Sequence, residues 1–122
     1  MARDATAETF DDLVATGAVV ADFWGPRCQP CLALTPRLEE LEEDYEGRVR
    51  VVKVDASQQR DICRRYGVLG LPTFVFLAEG VEVGRLSGGE VSVADLRRAV
   101  AALADGEVPV GAGEGSAGGA PR

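Results

Sequence analysis

The chain has 122 residues, 46% hydrophobic and 27% charged, which is the composition of one globular domain rather than of a disordered or fibrous chain. Twenty acidic against thirteen basic residues give a net charge of −7, which argues against sequence-independent binding of nucleic acid or anionic lipid. No apolar run approaches the roughly 18 residues of a membrane span, and the absence of histidine excludes Ser-His-Asp and Cys-His hydrolases and imidazole-ligated zinc.

In chain order, Thr6 is placed to cap a short helix marked by Phe10, Leu13 and Val14 and stopped by Gly17. Ala18 to Trp24 (AVVADFW) is an apolar run broken only by Asp22. Its length and β-branched content predict a strand buried on both faces. Cys28 to Glu46 follows a helical pattern, with Leu32, Leu34, Leu38, Leu41 and Tyr45 inward. The acids Glu39, Glu40, Glu42, Glu43 and Asp44 fall mostly outward, and Pro36 should kink the helix. Val49 to Val54 reads as a second strand, and Gln58 to Tyr66 as a short helix closed by Gly67. Thr73 to Leu77 and Val81 to Leu86 are two further strands, joined at Ala78, Glu79 and Gly80 by a hairpin-sized connection. Ser92 caps the last helix, with Asp95 at the capping-box position and Leu96, Val100 and Leu103 on its apolar face.

From Gly106 onward, GEVPVGAGEGSAGGAPR is rich in glycine and small residues and reads as a flexible tail. The domain is therefore assigned to residues 1–105 and the tail to 106–122. The early alternation of strand and helix implies a right-handed parallel crossover, and the last two strands an antiparallel hairpin. The expected fold class is α/β, with a mixed central sheet of four or five strands and helices on both faces.

There are three cysteines: Cys28, Cys31 and Cys63. The opening MARDATAETFDD lacks the apolar stretch of a secretory signal, so an odd cysteine count is no secreted disulfide framework and the protein is read as cytoplasmic. Cys28-Gln29-Pro30-Cys31 follows a strand and opens a helix. A helix N-terminus carries about half a positive charge and unpaired N–H groups, so it stabilises a thiolate. Pro30 suits that first turn because its missing N–H costs nothing there. Two cysteines three apart at such a position can close a small disulfide ring. Cys28, the more exposed, would attack a substrate disulfide, and the more buried Cys31 would resolve the mixed disulfide. The bland alternative is a chance spacing or half of a zinc site.

Asp22 is the second signal. A carboxylate inside an apolar strand is costly unless paired or protonated. Burial should raise its pKa, leaving a group able to take the proton of Cys31 near neutral pH. The alternative places it harmlessly at a strand end or edge. Lys53, the only lysine, falls in the next strand and can sit near Asp22. Leu71-Pro72-Thr73 is the third signal: a proline after Gly70 at the start of a strand, of either peptide isomer. Cys63, in the helix with Ile62 and Tyr66, reads as a small core hydrophobe rather than a regulatory thiol.

Ala21-Asp22-Phe23-Trp24-Gly25-Pro26-Arg27-Cys28-Gln29-Pro30-Cys31 resembles the active-site segment of thioredoxins, V-D-F-W-A-x-W-C-G-P-C. The resemblance continues through Pro36, Lys53-Val54-Asp55, Tyr66-Gly67-Val68, Gly70-Leu71-Pro72-Thr73, Gly80 and Gly88, and covers roughly residues 6 to 105. It implies the thioredoxin fold, with Cys28 the nucleophile, Cys31 the resolving thiol, Asp22 the buried acid and Lys53 its neighbour. Pro72 matches the cis-proline facing the disulfide, where the backbone of Leu71 pairs with an extended substrate. Trp24 matches the tryptophan beside the active site, and Gly88 the rim of the substrate groove, which Gln29 and Pro30 complete. The implied activity is reduction of protein disulfides without a bound cofactor. Electrons would return from an NADPH-dependent thioredoxin reductase, and the chain is expected to act as a monomer.

Three features depart from the family pattern. Arg27 stands for a second tryptophan, Gln29 stands for glycine, and the family's first strand is short or absent before Thr6. Arg27 adds a cation next to Cys28, which favours its thiolate. Two other readings follow: a more oxidising or isomerising relative, and a binding module or co-chaperone on the same fold.

Overall fold

Strand β2 (Ala18–Trp24) is buried from Val19 to Phe23, because it is paired along both edges and covered on both faces. A computed structural model describes residues 2–110. The remaining elements are β1 (Arg3–Asp4), α1 (Phe10–Val14), α2 (Gln29–Asp44), β3 (Arg50–Asp55), α3 (Arg60–Arg65), β4 (Thr73–Ala78), β5 (Val81–Ser87) and α4 (Val93–Ala104). The sheet order is β1-β3-β2-β4-β5. The pairs β1–β3 and β3–β2 are parallel, and β2–β4 and β4–β5 antiparallel. Of the four or five strands expected, the sheet has five; the fifth, β1 at the edge, is only two residues long.

Alternation along the strands divides the core in two. Val20, Val51, Phe74 and Phe76 pack with Leu34, Leu38 and Leu41 of α2 and Leu96, Val100 and Leu103 of α4. Val19, Ala21, Phe23, Val52, Val54, Val75 and Leu77 pack with Phe10 and Val14 of α1 and Ile62 of α3. Tyr66 closes the second cluster, its ring edge-on to Phe10 at 5.7 Å.

Helix α2 runs unbroken through Pro36, but its inner stripe differs from the expected one. Its buried residues are Cys31, Leu34, Leu38, Leu41 and Glu42, while Leu32 is 44% exposed. Leu32 lies one residue, about 100° of rotation, off the stripe set by Cys31 and Leu34. Glu42, expected outward, turns in because the amide of Val51 points to the side where β1 has run out. That amide donates to Glu42 Oε2 at 2.8 Å.

Helix α1 begins later than expected. Its N-cap is Thr9, not Thr6, and neither threonine caps it with its side chain; the Thr6 amide donates instead to Thr9 Oγ1 at 2.9 Å. At α4 the capping box forms as read, with the Asp95 amide donating to Ser92 Oγ at 3.1 Å and the Ser92 amide to Asp95 Oδ2 at 2.9 Å. Glu79 and Gly80, with φ of 50° and 83°, make the two-residue β4–β5 turn that suits the strand twist. Beyond α4, Pro109 is buried and Val110 packs against the first core cluster, both over Gly84, where a Cβ would meet Pro109 Cγ at 3.3 Å. The rest of the expected tail, residues 111–122, lies outside the described residues. Among the described residues no helix is long and apolar enough to cross a membrane.

Candidate functional site

Cys28 is the N-cap of α2, with extended backbone, Gln29 begins the helix, and Pro30 lies in its first turn. Cys28 and Cys31 are joined in a disulfide with their Cα atoms 5.2 Å apart. The Cys31 amide donates to Cys28 Sγ at 3.2 Å. The sulfur thus takes the place of the oxygen that usually caps a helix, and it sits where the helix dipole favours negative charge. Cys28 is partly exposed and Cys31 fully buried. Arg27 and Gln29 flank Cys28 and are exposed.

Asp22 lies on β2 with the parity of Val20, so it faces α2. Its register neighbours are Lys53 on β3 and Phe74 on β4. It is 0% exposed. Thr35 of α2 donates its hydroxyl to Asp22 Oδ2 at 2.8 Å, while Oδ1 has no hydrogen-bond partner among the described residues. Burial pushes the carboxyl up to about 6, against the Thr35 hydrogen bond and the positive charge of Lys53.

Lys53 stands beside Asp22 in register, yet its ammonium reaches elsewhere. It lies 3.5 Å from Glu39 and 3.9 Å from Asp4, and 5.7 Å from the centre of the Trp24 ring. Lys53 therefore acts on Asp22 through space rather than by a hydrogen bond. Trp24 ends β2, and its carbonyl accepts the Ala56 amide at 2.8 Å, tying the strand end to the loop after β3.

The other wall of the site is the loop before β4. The Leu71–Pro72 peptide is cis. The Pro72 carbonyl accepts the Gly88 amide at 2.9 Å. Gly88 has φ of 104°, a conformation that favours glycine. A Cβ on the next residue, Gly89, would lie 3.9 Å from Pro30 Cγ. A Cβ on the buried Gly25 would lie 3.1 Å from Leu71 Cδ1. The redox loop, the cis-proline loop and the Gly88–Gly89 turn therefore converge at one end of the sheet. In the same loop Leu69 is 99% exposed.

The structure thus brings together Cys28, Cys31, Asp22, Lys53, Trp24, Gln29, Pro30, Leu71, Pro72 and Gly88. It keeps Cys63 apart: this free thiol is half-buried on α3, packed against the opposite core cluster. Thr35 and Glu39 were not singled out by the sequence. The signal that could have found Thr35 is its place four residues after Cys31, hence on the same helix face.

The family model described as Thioredoxin matches residues 2–102. A thioredoxin of Bacillus subtilis is 37% identical over 76 residues, covering 62% of this chain and 73% of that protein. A thioredoxin of Staphylococcus aureus is 35% identical over 83 residues, covering 68% and 80% respectively. Among solved structures, the thioredoxin of Malassezia sympodialis has a TM-score of 0.77 at 27% identity, covering 85% of this chain and 91% of that one.

Proposed function

The chain belongs to the thioredoxin family and is a thiol–disulfide oxidoreductase acting on protein disulfides; from that premise we propose how its own residues share the reaction. The Cys28 thiolate attacks one sulfur of a substrate disulfide, and the other sulfur leaves as a thiolate. The Cys31 thiol gives its proton to Asp22, and its sulfur attacks Cys28 Sγ. The second substrate thiolate departs, and two electrons have passed from the dithiol to the substrate. The protein is left with the Cys28–Cys31 disulfide, the state this structure holds.

Lys53 favours the ionised form of Asp22 from the next strand. An extended substrate segment pairs with the backbone of Leu71 ahead of Pro72, between Trp24, Gln29 and Pro30 on one side and Gly88 on the other. The reducing equivalents return from an NADPH-dependent flavoprotein thioredoxin reductase. The chain works as a monomeric domain in the cytoplasm.

The observation that carries this reading is a redox disulfide at the N-terminus of α2 beside a fully buried carboxylate under the same helix. Insulin reduction by dithiothreitol, with and without the protein, tests it. Cys28→Ser should abolish catalysis, and Cys31→Ser should accumulate a mixed disulfide through Cys28. A Cys28→Ser variant keeping most of the activity would overturn the assignment.

A further inference from the structure

We propose that Thr35 is a positioning residue for the resolving step: its hydroxyl anchors Oδ2 of Asp22, leaving Oδ1 as the oxygen that receives the Cys31 proton. The inference rests on the reading of Asp22 as proton acceptor. Cys31, Thr35 and Glu39 are spaced i, i+4, i+8 and form one row along α2, with adjacent members about 6 Å apart along the axis. Cys31 is the thiol of this row, and Glu39 holds Lys53 at 3.5 Å. Thr35, between them, reaches Asp22 at 2.8 Å.

A threonine inside a helix commonly gives its hydroxyl proton to its own backbone one turn back. A hydroxyl has one proton to donate. Here it is donated across to another element, to the fully buried carboxylate of Asp22. Nothing else described donates to Asp22. Lys53, the nearest cation by register, is shared between Glu39 on α2 and Asp4 on β1. From β4 the neighbour is the apolar Phe74. Thr35 is therefore the one direct polar contact that distinguishes the two carboxylate oxygens. A donated hydrogen bond favours the ionised acid, and that from Thr35 opposes burial more strongly than Lys53 does.

The proton balance of the step is simple. The Cys31 S–H bond breaks, its proton goes to Asp22 Oδ1, and the sulfur electron pair forms the bond to Cys28 Sγ as the substrate thiolate leaves. Without Thr35 the same carboxylate would hold its proton more tightly and be free to turn. It would then be protonated before the step over more of the neutral range.

The test uses the full chain and four variants: Thr35→Val, which keeps the shape without the hydroxyl, Thr35→Ser, Asp22→Asn, and the double variant Thr35→Val with Asp22→Asn. Two quantities are read: the Asp22 carboxyl titration by carbon NMR in the reduced protein, and the pH profile of insulin reduction. In Thr35→Val the titration midpoint and the acid limb of the profile should both move up by about one pH unit, a tenfold change in proton affinity. Thr35→Ser should restore both, and in the Asp22→Asn background Thr35→Val should move nothing further. Thr35→Ala supplies the same comparison should Thr35→Val not fold. An unmoved midpoint in Thr35→Val or Thr35→Ala overturns the role of Thr35, even if Asp22→Asn slows the reaction. An Asp22→Asn variant with the wild-type rate and profile overturns the proton-acceptor reading itself.

Discussion

Under α1 and α3, the sheet presents Val19, Ala21, Phe23, Val52, Val54, Val75 and Leu77, with no charged side chain buried among them. Under α2 and α4 the same strands present Val20, Val51, Phe74 and Phe76, but also the fully buried Asp22 and, beside it, Lys53. The redox disulfide belongs to the second face, because α2 is the helix that both starts at Cys28 and covers Asp22. One face is built only to be stable. The other buries a carboxyl whose pKa is raised to about 6, and its energetics therefore depend on pH.

The first face offers the largest effect. Phe10 is fully buried and packs edge-on to Tyr66. Phe10→Ala should cost about 3–5 kcal/mol through lost burial and the cavity left behind. Tyr66, the titrating group in that contact, has its pKa raised from 10.0 by burial, so it stays protonated at pH 5 and pH 8, and urea melts at both should show the same loss. A loss that differs by more than about 1 kcal/mol between them would undo the contrast.

Asp22→Asn should act in the opposite direction. The unfolded carboxyl titrates near 3.8 and the folded one at about 6, a difference of about 3 kcal/mol at about 1.4 kcal/mol per pH unit. Between those values the folded protein holds the proton and the unfolded chain loses it, so stability falls as pH rises. The penalty is absent below the unfolded value and complete above the folded one. The variant should therefore be more stable at pH 8, by about 1–3 kcal/mol once the buried amide is counted against the gain. At pH 4 the advantage should be gone, while insulin reduction is slowed. Urea melts across that range beside the assay decide it, and a variant destabilised at pH 8 would make Asp22 a structural residue.

Smaller effects test the supports of each face. Ser92→Ala removes the cap of α4, which covers the second face, and should cost about 1 kcal/mol in the same melts. Cys63→Ala, on the first face, should cost less than about 1 kcal/mol and leave insulin reduction within twofold of wild type. A tenfold loss of activity there would tie the first face to the chemistry after all.

Much of this was legible in the sequence, for reasons that differ by residue. The bounds of β2 follow from an apolar run broken only by Asp22, and the structure returns the same Ala18–Trp24. Asp22 stood out because a carboxylate there has no cheap explanation, and the cysteine pair because its spacing meets a helix start. Leu32 and Glu42 were misread together. Composition names a leucine as inward, but the phase of the stripe is set by which side meets the sheet. Glu42 is drawn in by a strand amide that only the assembled fold leaves waiting. Thr35 shares the helix face of Cys31, but that spacing does not reveal its partner, which is 13 residues away on another element.

The same Glu42 has a consequence for assembly. An open strand edge is a template onto which another chain can add, and β1 covers β3 only at Val52 and Lys53. At Val51 the position that an incoming strand would take is already held by a carboxylate from within the chain. An arriving backbone carbonyl would have to displace a stronger acceptor and leave that acid buried against it. Among the described residues Glu42 thus occupies the edge amide of β3 next to the two positions that β1 pairs, and a strand added there would first have to displace it.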